Sequence, residues 1–369
     1  MFCGVSCKQV YSPPAIKNNP HLLVVDGIVK NGNDSTVIIL SRTRSVADTV
    51  PSEFETNARV SIVSANSLEY PLFSEGNGRY IINPLQLDTT QEYQLKIITA
   101  EGNEFRSELS HVYGAPPIDS LYFTQDDAGV HIYLDSHDPT NSTRYYRWEY
   151  IQTWQYNSDF ISILEYIDSN NIVQRTPDNQ IYTCWQSQAS TSIEVAKTTQ
   201  LSSDIISKYE MTVVPKGSIQ ISFLYSDLVY QYAISADAYN FWQNLKKNTE
   251  QLGSLFDLQP FTELGNITCV NNPDVKCIGY ISFTTPKEKR IFISKNQVIS
   301  WNYTPYYAAD SCKLASVPPD NLPSFFQPDG GPYFNSLVGM AVSNYLVSTK
   351  HCVDCRANGG TTTKPPYWP

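Results

Sequence analysis

Short runs of alternating apolar and polar residues, each closed by glycine, asparagine or proline, recur along this chain and leave few ways to fold it. Tyr93, Leu95 and Ile97 alternate with Gln94 and Lys96, and Val60 and Ile62 alternate with Arg59 and Ser61. A period of two puts one set of side chains on each face of a strand, one set buried and the other wet. Such segments run from Leu22 to Val29, Thr36 to Ser41, Ala58 to Ser64, Tyr70 to Phe73, Tyr80 to Ile82, Tyr93 to Thr99 and Glu104 to Ser107. About seven strands in so short a stretch is sandwich spacing, so residues 21–114 are expected to form an immunoglobulin-like β-sandwich domain. Gly76-Asn77-Gly78 and Glu101-Gly102-Asn103 mark hairpin turns, because glycine and asparagine tolerate positive φ.

Gly114-Ala115-Pro116-Pro117 interrupts the pattern, and we place a domain boundary there. A chain of 369 residues exceeds the size at which one core keeps growing, which agrees with two domains. Strands resume at Ser120 to Thr124 and Val130 to Leu134, and a long one runs from Arg144 to Tyr156. In it Tyr146, Trp148, Tyr150, Trp154 and Tyr156 share one parity, so five aromatics line one face and Arg147, Glu149, Thr153 and Gln155 the other. A helix is expected near 236–252: Ser235 can cap it, Ala238, Phe241, Trp242 and Leu245 recur at helical spacing, and Gly253 follows as a stop. Beyond Trp301 the chain is rich in proline and glycine and reads as an irregular coat. The expected fold is mainly β: two β-sandwich-like domains, the second over 115–369 with a helical insertion and that C-terminal coat.

The first twenty residues belong to neither domain. Phe2-Cys3-Gly4-Val5-Ser6-Cys7 reads as the end of a lipoprotein signal, with small residues before an acceptor Cys7, and the proline-bearing stretch to residue 20 reads as a tether. No run approaches the roughly 18 apolar residues that span a bilayer, so lipidation at Cys7 is the anchor the sequence offers. The 26 basic residues are scattered and the net charge is -10, which speaks against nucleic acid as a partner. The 25 tyrosines supply large rings with a polar tip, suited to cores and to wet recognition surfaces.

Cys184, Cys269, Cys277, Cys312, Cys352 and Cys355 are candidates for disulfides in an exported chain. Six cysteines allow 15 pairings and sequence does not choose among them, though the short spacing of Cys269 and Cys277 suits a local loop. His351-Cys352-Val353-Asp354-Cys355 has the spacing of half a zinc site, with Cys312 or Cys184 as further ligands, but export favours disulfides and no metal is expected. Ser136-His137-Asp138-Pro139 and Asp126-Asp127-Ala128-Gly129 offer acid/base or calcium chemistry on paper; both read more simply as turns. The aromatic stripe reads as core. Trp154 and Tyr156, near its end, and Trp185 are the candidate ligand-binding rings. Signatures of nucleophile elbows, zinc proteases, dinucleotide folds and phosphate loops are missing, so no catalytic residue and no cofactor is assigned.

Several long words carry a resemblance. They include Val25-Asp26-Gly27, Leu40-Ser41-Arg42-Thr43, His137-Asp138-Pro139-Thr140 running into Tyr145-Tyr146-Arg147-Trp148-Glu149-Tyr150, Cys184-Trp185, Gln231-Tyr232, Phe241-Trp242-Gln243-Asn244-Leu245, and Cys352-Val353-Asp354-Cys355-Arg356. Over its whole length the chain resembles a Bacteroidota family of outer-membrane lipoproteins, a domain of unknown function typically encoded beside TonB-dependent receptors. The resemblance implies a lipid-anchored outer-membrane protein, facing the cell surface or the periplasm, that partners a TonB-dependent receptor in uptake of a small nutrient. The expectation is therefore a non-enzymatic binding protein. Its rivals are a polysaccharide or peptide hydrolase whose carboxylates only the fold brings together, and a structural or assembly component of the envelope. Asp48-Thr49-Val50 and Asp88-Thr89-Thr90 also fit the short O-glycosylation words of that phylum.

Overall fold

A computed structural model describes residues 21–44, 53–168, 171–250, 264–305, 312–326, 335–341 and 343–369. Cys7, Asp48-Thr49-Val50 and Gly253 lie outside the described residues. The fold is mainly β and sandwich-like. The chain forms two compact units, one from residues up to Ala115 with Ala233–Pro286, the other from Pro116–Tyr232 with Lys287–Pro369.

The first pass through unit 1 supplies β1 (Leu23–Gly27), β2 (Val29–Lys30), β3 (Thr36–Arg42), β4 (Arg59–Ser64), β5 (Glu69–Gly76), β6 (Arg79–Ile82), β7 (Glu92–Ile98), β8 (Glu104–Ser107) and β9 (Ser110–Gly114). Unit 2 follows with β10 (Ile118–Gln125), β11 (Gly129–Asp138), β12 (Tyr145–Asn157), β13 (Leu164–Asp168), β14 (Asn171–Gln174), β15 (Thr183–Ala189), β16 (Glu194–Lys197), β17 (Asp204–Pro215) and β18 (Leu224–Ala233). The chain then returns to unit 1 with α1 (Ala236–Glu250), β19 (Ile267–Cys269), β20 (Cys277–Ile278) and β21 (Phe283–Thr285). It ends in unit 2 with β22 (Lys287–Ser294), β23 (Ala315–Val317), β24 (Asn335–Ala341) and β25 (Asn344–Thr349).

Alternation builds unit 1 as expected. Tyr93, Leu95 and Ile97 point into the core, and so do Ile38 and Leu40. Gly76, Asn77 and Gly78 all take positive φ, and the hairpin between β5 and β6 turns on them. The hydrogen-bonded path runs β2-β21-β9-β7-β4-β5-β6-β3-β1-β20, with β8 bridging β7 and β19. Three late strands complete it: β19 pairs antiparallel with β8, β21 lies parallel between β2 and β9, and β20 runs parallel to β1. Ile267, Cys269, Cys277, Ile281 and Phe283 belong to the same core cluster as the early strands. Ser235 caps α1 through its hydroxyl, which accepts from Ala238 N at 3.1 Å, and Phe241 packs 5.5 Å from the Tyr280 ring. The helix and strands within 233–286 thus group with the first unit, whereas the sequence reading gave everything after 114 to the second.

Unit 2 packs a sheet ordered β10-β11-β17 against one ordered β15-β12-β18-β22, with β16 also on β12. Between them lie Val130, Ile132, Leu134, Met211, Val214, Tyr225 and Val229, together with the whole aromatic stripe of β12. Polar tips inside this core find partners. Tyr146 donates to Asp204 at 2.7 Å, and Trp148 donates to Gln231, whose amide in turn donates to Pro116 O and Ser136. Asp227 is different. Its side chain is wholly buried, neither carboxylate oxygen has a hydrogen-bond partner, and the neighbouring Tyr225 hydroxyl faces the Gln152 amide without a hydrogen bond of good geometry.

Two disulfides pin the end of the chain: Cys184–Cys355, 171 residues apart, and Cys312–Cys352. Cys269 and Cys277 are buried free thiols, so the local loop suited to their spacing is not closed by a bond. Cys269 sits opposite Phe105 on β8 and Cys277 opposite Leu23 on β1. Burial pushes the Cys277 thiol up to about 12. Downstream of Cys355, Gly360 passes where a side chain would collide with Tyr156 and Cys184. Thr361 then pairs with Trp185 at the edge of β15, and Trp368 tucks against Phe292 while donating to Gln155 at 3.2 Å.

Candidate functional site

Unit 2 presents a wet, ring-bearing surface on the outer face of the β10-β11-β17 sheet. Along β11 the alternation sends Val130, Ile132 and Leu134 inward, which turns His131, Tyr133, Asp135 and His137 outward. Tyr122 on β10 stands opposite Tyr133 with ring centroids 5.8 Å apart, and His131, two residues before Tyr133 on β11, lies near-parallel to it at 6.2 Å.

The third strand joins this face through two bulges. The pairing of β17 with β11 slips between Ile132 and Tyr133 and again between Leu134 and Ser136. An extra residue in a strand bends it and re-aims its side chains. Here the slips bracket Glu210 and set it beside the ring row. Lys208, at the second bulge, takes φ 52, and its backbone N–H donates to Asp135 at 2.7 Å. Left-handed backbone at a residue other than glycine is uncommon and persists where surrounding bonds impose it.

Glu210 accepts from the Tyr133 hydroxyl at 3.0 Å and sits 2.8 Å from His131 Nδ1, while Asp126 sits 2.9 Å from His131 Nε2. A carboxylate on each ring nitrogen requires both nitrogens to donate, so the imidazolium is the form that fits. Its bonds to Glu210 and then to Asp126 raise the His131 pKa, and the same contact lowers that of Asp126. The bond to Glu210 raises Tyr133. His137, 2.7 Å from Asp119, is raised for the same reason.

Because the folded pKa of His131 lies above its unfolded value of 6.5, the stabilisation it brings is complete below that value. It is lost as pH rises through the folded value. Glu210→Gln is expected to flatten the fall of melting temperature between about pH 6 and 9. Parallel scans of the wild type and the variant check this; identical slopes would remove Glu210 as the cause, since His137 contributes equally to both proteins.

The structure places the sequence candidates as follows. Trp154 and Tyr156 are 3% and 1% exposed and lie in the unit 2 core, with the Tyr156 hydroxyl donating to Cys355 O. They are not available as surface rings, because the stripe faces inward along its whole length. Trp185 is half-buried on the other face, edge-paired to Thr361, with its indole N–H buried and unpartnered. Asp126 accepts from the amides of Ala128 and Gly129 and closes the hairpin before β11. His137 and Asp138 diverge. The imidazole turns outward to Asp119, while the Asp138 carboxylate turns inward and accepts from Thr140, Ser142 and Thr143. Burial pushes Asp138 up, but those bonds outweigh it and hold the carboxyl well below its usual range. Cys312, His351 and Cys352 have ligand atoms within 4.8 Å of one another, but the two sulfurs are bonded to each other.

Among the described residues, Asp227 is the buried acid with the electrostatics of a general acid, since desolvation pushes it up to about 7. It is sealed in the core with no exposed surface. The outward half of β11 was open to sequence reading as a period of two. Glu210 was not, because the bulges break the alternation that would have placed it.

No curated protein matches the sequence. Among solved structures, a chitinase, ChiA74 from Bacillus thuringiensis, is similar at 10% identity over 50% of this chain and 30% of that chain, with a TM-score of 0.14, a likeness too slight to carry an argument. No helix among the described residues is long and apolar enough to cross a membrane. The family model described as a domain of unknown function, DUF4249, matches residues 8–290, and the chain belongs to that family.

Proposed function

We propose that this protein is a lipid-anchored binding protein of the Bacteroidota outer membrane that partners a TonB-dependent receptor and captures a small nutrient for it. In this reading Cys7 carries the lipid, residues 8–20 act as the tether, and the outer face of the β10-β11-β17 sheet is the capture surface. The observation that carries the reading is the outward grouping of Tyr122, Tyr133 and His131, in which Glu210 and Asp126 hold His131 and Glu210 also holds the Tyr133 hydroxyl. Rings tied to neighbouring carboxylates on a sheet are pre-organised, which spares a ligand part of the cost of ordering them.

The test is to tag the protein in its host, solubilise the outer membrane in mild detergent and identify what copurifies. A TonB-dependent receptor in stoichiometric yield is expected, and Cys7→Ala should move the protein from the membrane to the soluble fraction. A protein that runs alone from intact membranes would remove the receptor from the reading and favour a hydrolase or an assembly component.

A further inference from the structure

We infer that the ligand of the β10-β11-β17 face is a neutral oligosaccharide, bound by stacking on the Tyr122–Tyr133–His131 row and by hydroxyl hydrogen bonds to the flanking carboxylates. This rests on the proposed capture role of that face and names its ligand class.

Charge already present on the face argues for a neutral ligand. Asp126 and Glu210 are both paired with His131, Asp119 with His137, and Asp127 with Lys216. Asp135 accepts from Ser120 and from the Lys208 backbone. Four of these five carboxylates already hold a cation and the fifth, Asp135, already accepts from two neutral donors, so the Coulombic gain of a cationic peptide in these exposed surroundings is small. An anion would meet five carboxylates.

What the face retains is acceptor capacity and ring area. An ionised carboxylate offers about four lone-pair sites. Glu210 spends Oε2 on Tyr133 and His131, and Asp126 spends Oδ1 on His131 and two amides; among the described residues no donor reaches the second oxygen of either. Sugar hydroxyls are donors that such oxygens can take without any change in charge. The apolar face of a pyranose is a surface that tyrosine rings cover, and tyrosine adds a polar tip for the hydroxyl rim. Tyr122 lies across the ladder from Tyr133, and His131 lies two residues along β11, so centroids 5.8 and 6.2 Å apart make a patch wider than a single sugar ring.

The experiment uses the full chain with Cys7→Ser, titrated calorimetrically with neutral oligosaccharides of glucose, mannose and galactose, and in parallel with an oligolysine peptide. One or more saccharides should bind, and Tyr133→Ala should weaken binding at least tenfold at unchanged melting temperature. Tyr122→Leu, at the far end of the row, should do the same and stands in if Tyr133→Ala fails to fold. No binding by any saccharide, binding indifferent to both variants, or salt-sensitive binding of oligolysine alone would overturn the inference. Saccharide binding by a protein that copurifies with no receptor would leave this inference standing and remove the receptor; a receptor without saccharide binding would do the reverse.

Discussion

Asp227→Asn should make unit 2 markedly more stable at pH 8, a direction opposite to that of most core substitutions. Both oxygens of Asp227 are buried without hydrogen bonds, and burial pushes its pKa up to about 7 from 3.8, with Arg290 pulling weakly the other way. The folded state therefore binds the proton more tightly than the unfolded state does. Stability is complete below about pH 3.8, declines as pH rises, and reaches its full penalty above about pH 7. A shift of this size corresponds to about 4 kcal/mol at 1.36 kcal/mol per unit. An amide of the same shape has no charged form to desolvate, so it escapes most of that penalty while still lacking partners. Urea midpoints at pH 4, 6 and 8, read with unchanged m-values, would show the two proteins alike at pH 4 and widely separated at pH 8. A variant less stable than wild type at pH 8 would mean that the carboxylate is satisfied in solution by water or an ion.

A fragment ending at residue 115 should fail to fold, although the sequence marks that point as a domain boundary. It would lack β19, β20 and β21, and with them Ile267, Cys269, Cys277, Ile281 and Phe283 of the unit 1 core. At about 1.5–3 kcal/mol for each large buried side chain, the loss of Ile267, Ile281 and Phe283 alone removes roughly 5–9 kcal/mol. That is comparable with the whole stability of an ordinary domain, about 5–15 kcal/mol. Residues 21–115 are expected to show no cooperative urea transition, and co-expression with residues 233–286 should restore one. A sharp transition from 21–115 alone would show that the early strands form a sufficient core.

The sequence made local structure readable where one periodicity governed it. Glu104–Ser107 matches the segment expected from alternation, Ser235 caps the expected helix, and the turn at Asn77 takes positive φ as its glycine neighbours imply. The chain also changes units at Ala115 and Pro116, inside the predicted breaker cluster. Parallel pairing of three-residue β21 was hidden, because so short a strand shows no period and its partners lie far away in sequence. The recognition face was half readable. His131 and Tyr133 follow the alternation of β11, but the inward residues of β17 fall at Asp204, Ile206, Tyr209, Met211 and Val214, at spacings of two, three, two and three. Bulges erase the period there, and Glu210 with it.

The interleaved order of the two units sets the order in which unit 1 can close. β2 and β9 both lie before residue 115, yet the strand that joins them ends at Thr285, and β1 and β8 likewise wait for β20 and β19. Until residues 233–286 dock, these strands stand unpaired beside an incomplete apolar core, the state in which strands recruit strands from other chains. The protein should therefore depend on a chaperone that shields sheet edges more than its modest size would imply, and its refolding yield from urea should fall steeply with protein concentration, through aggregation.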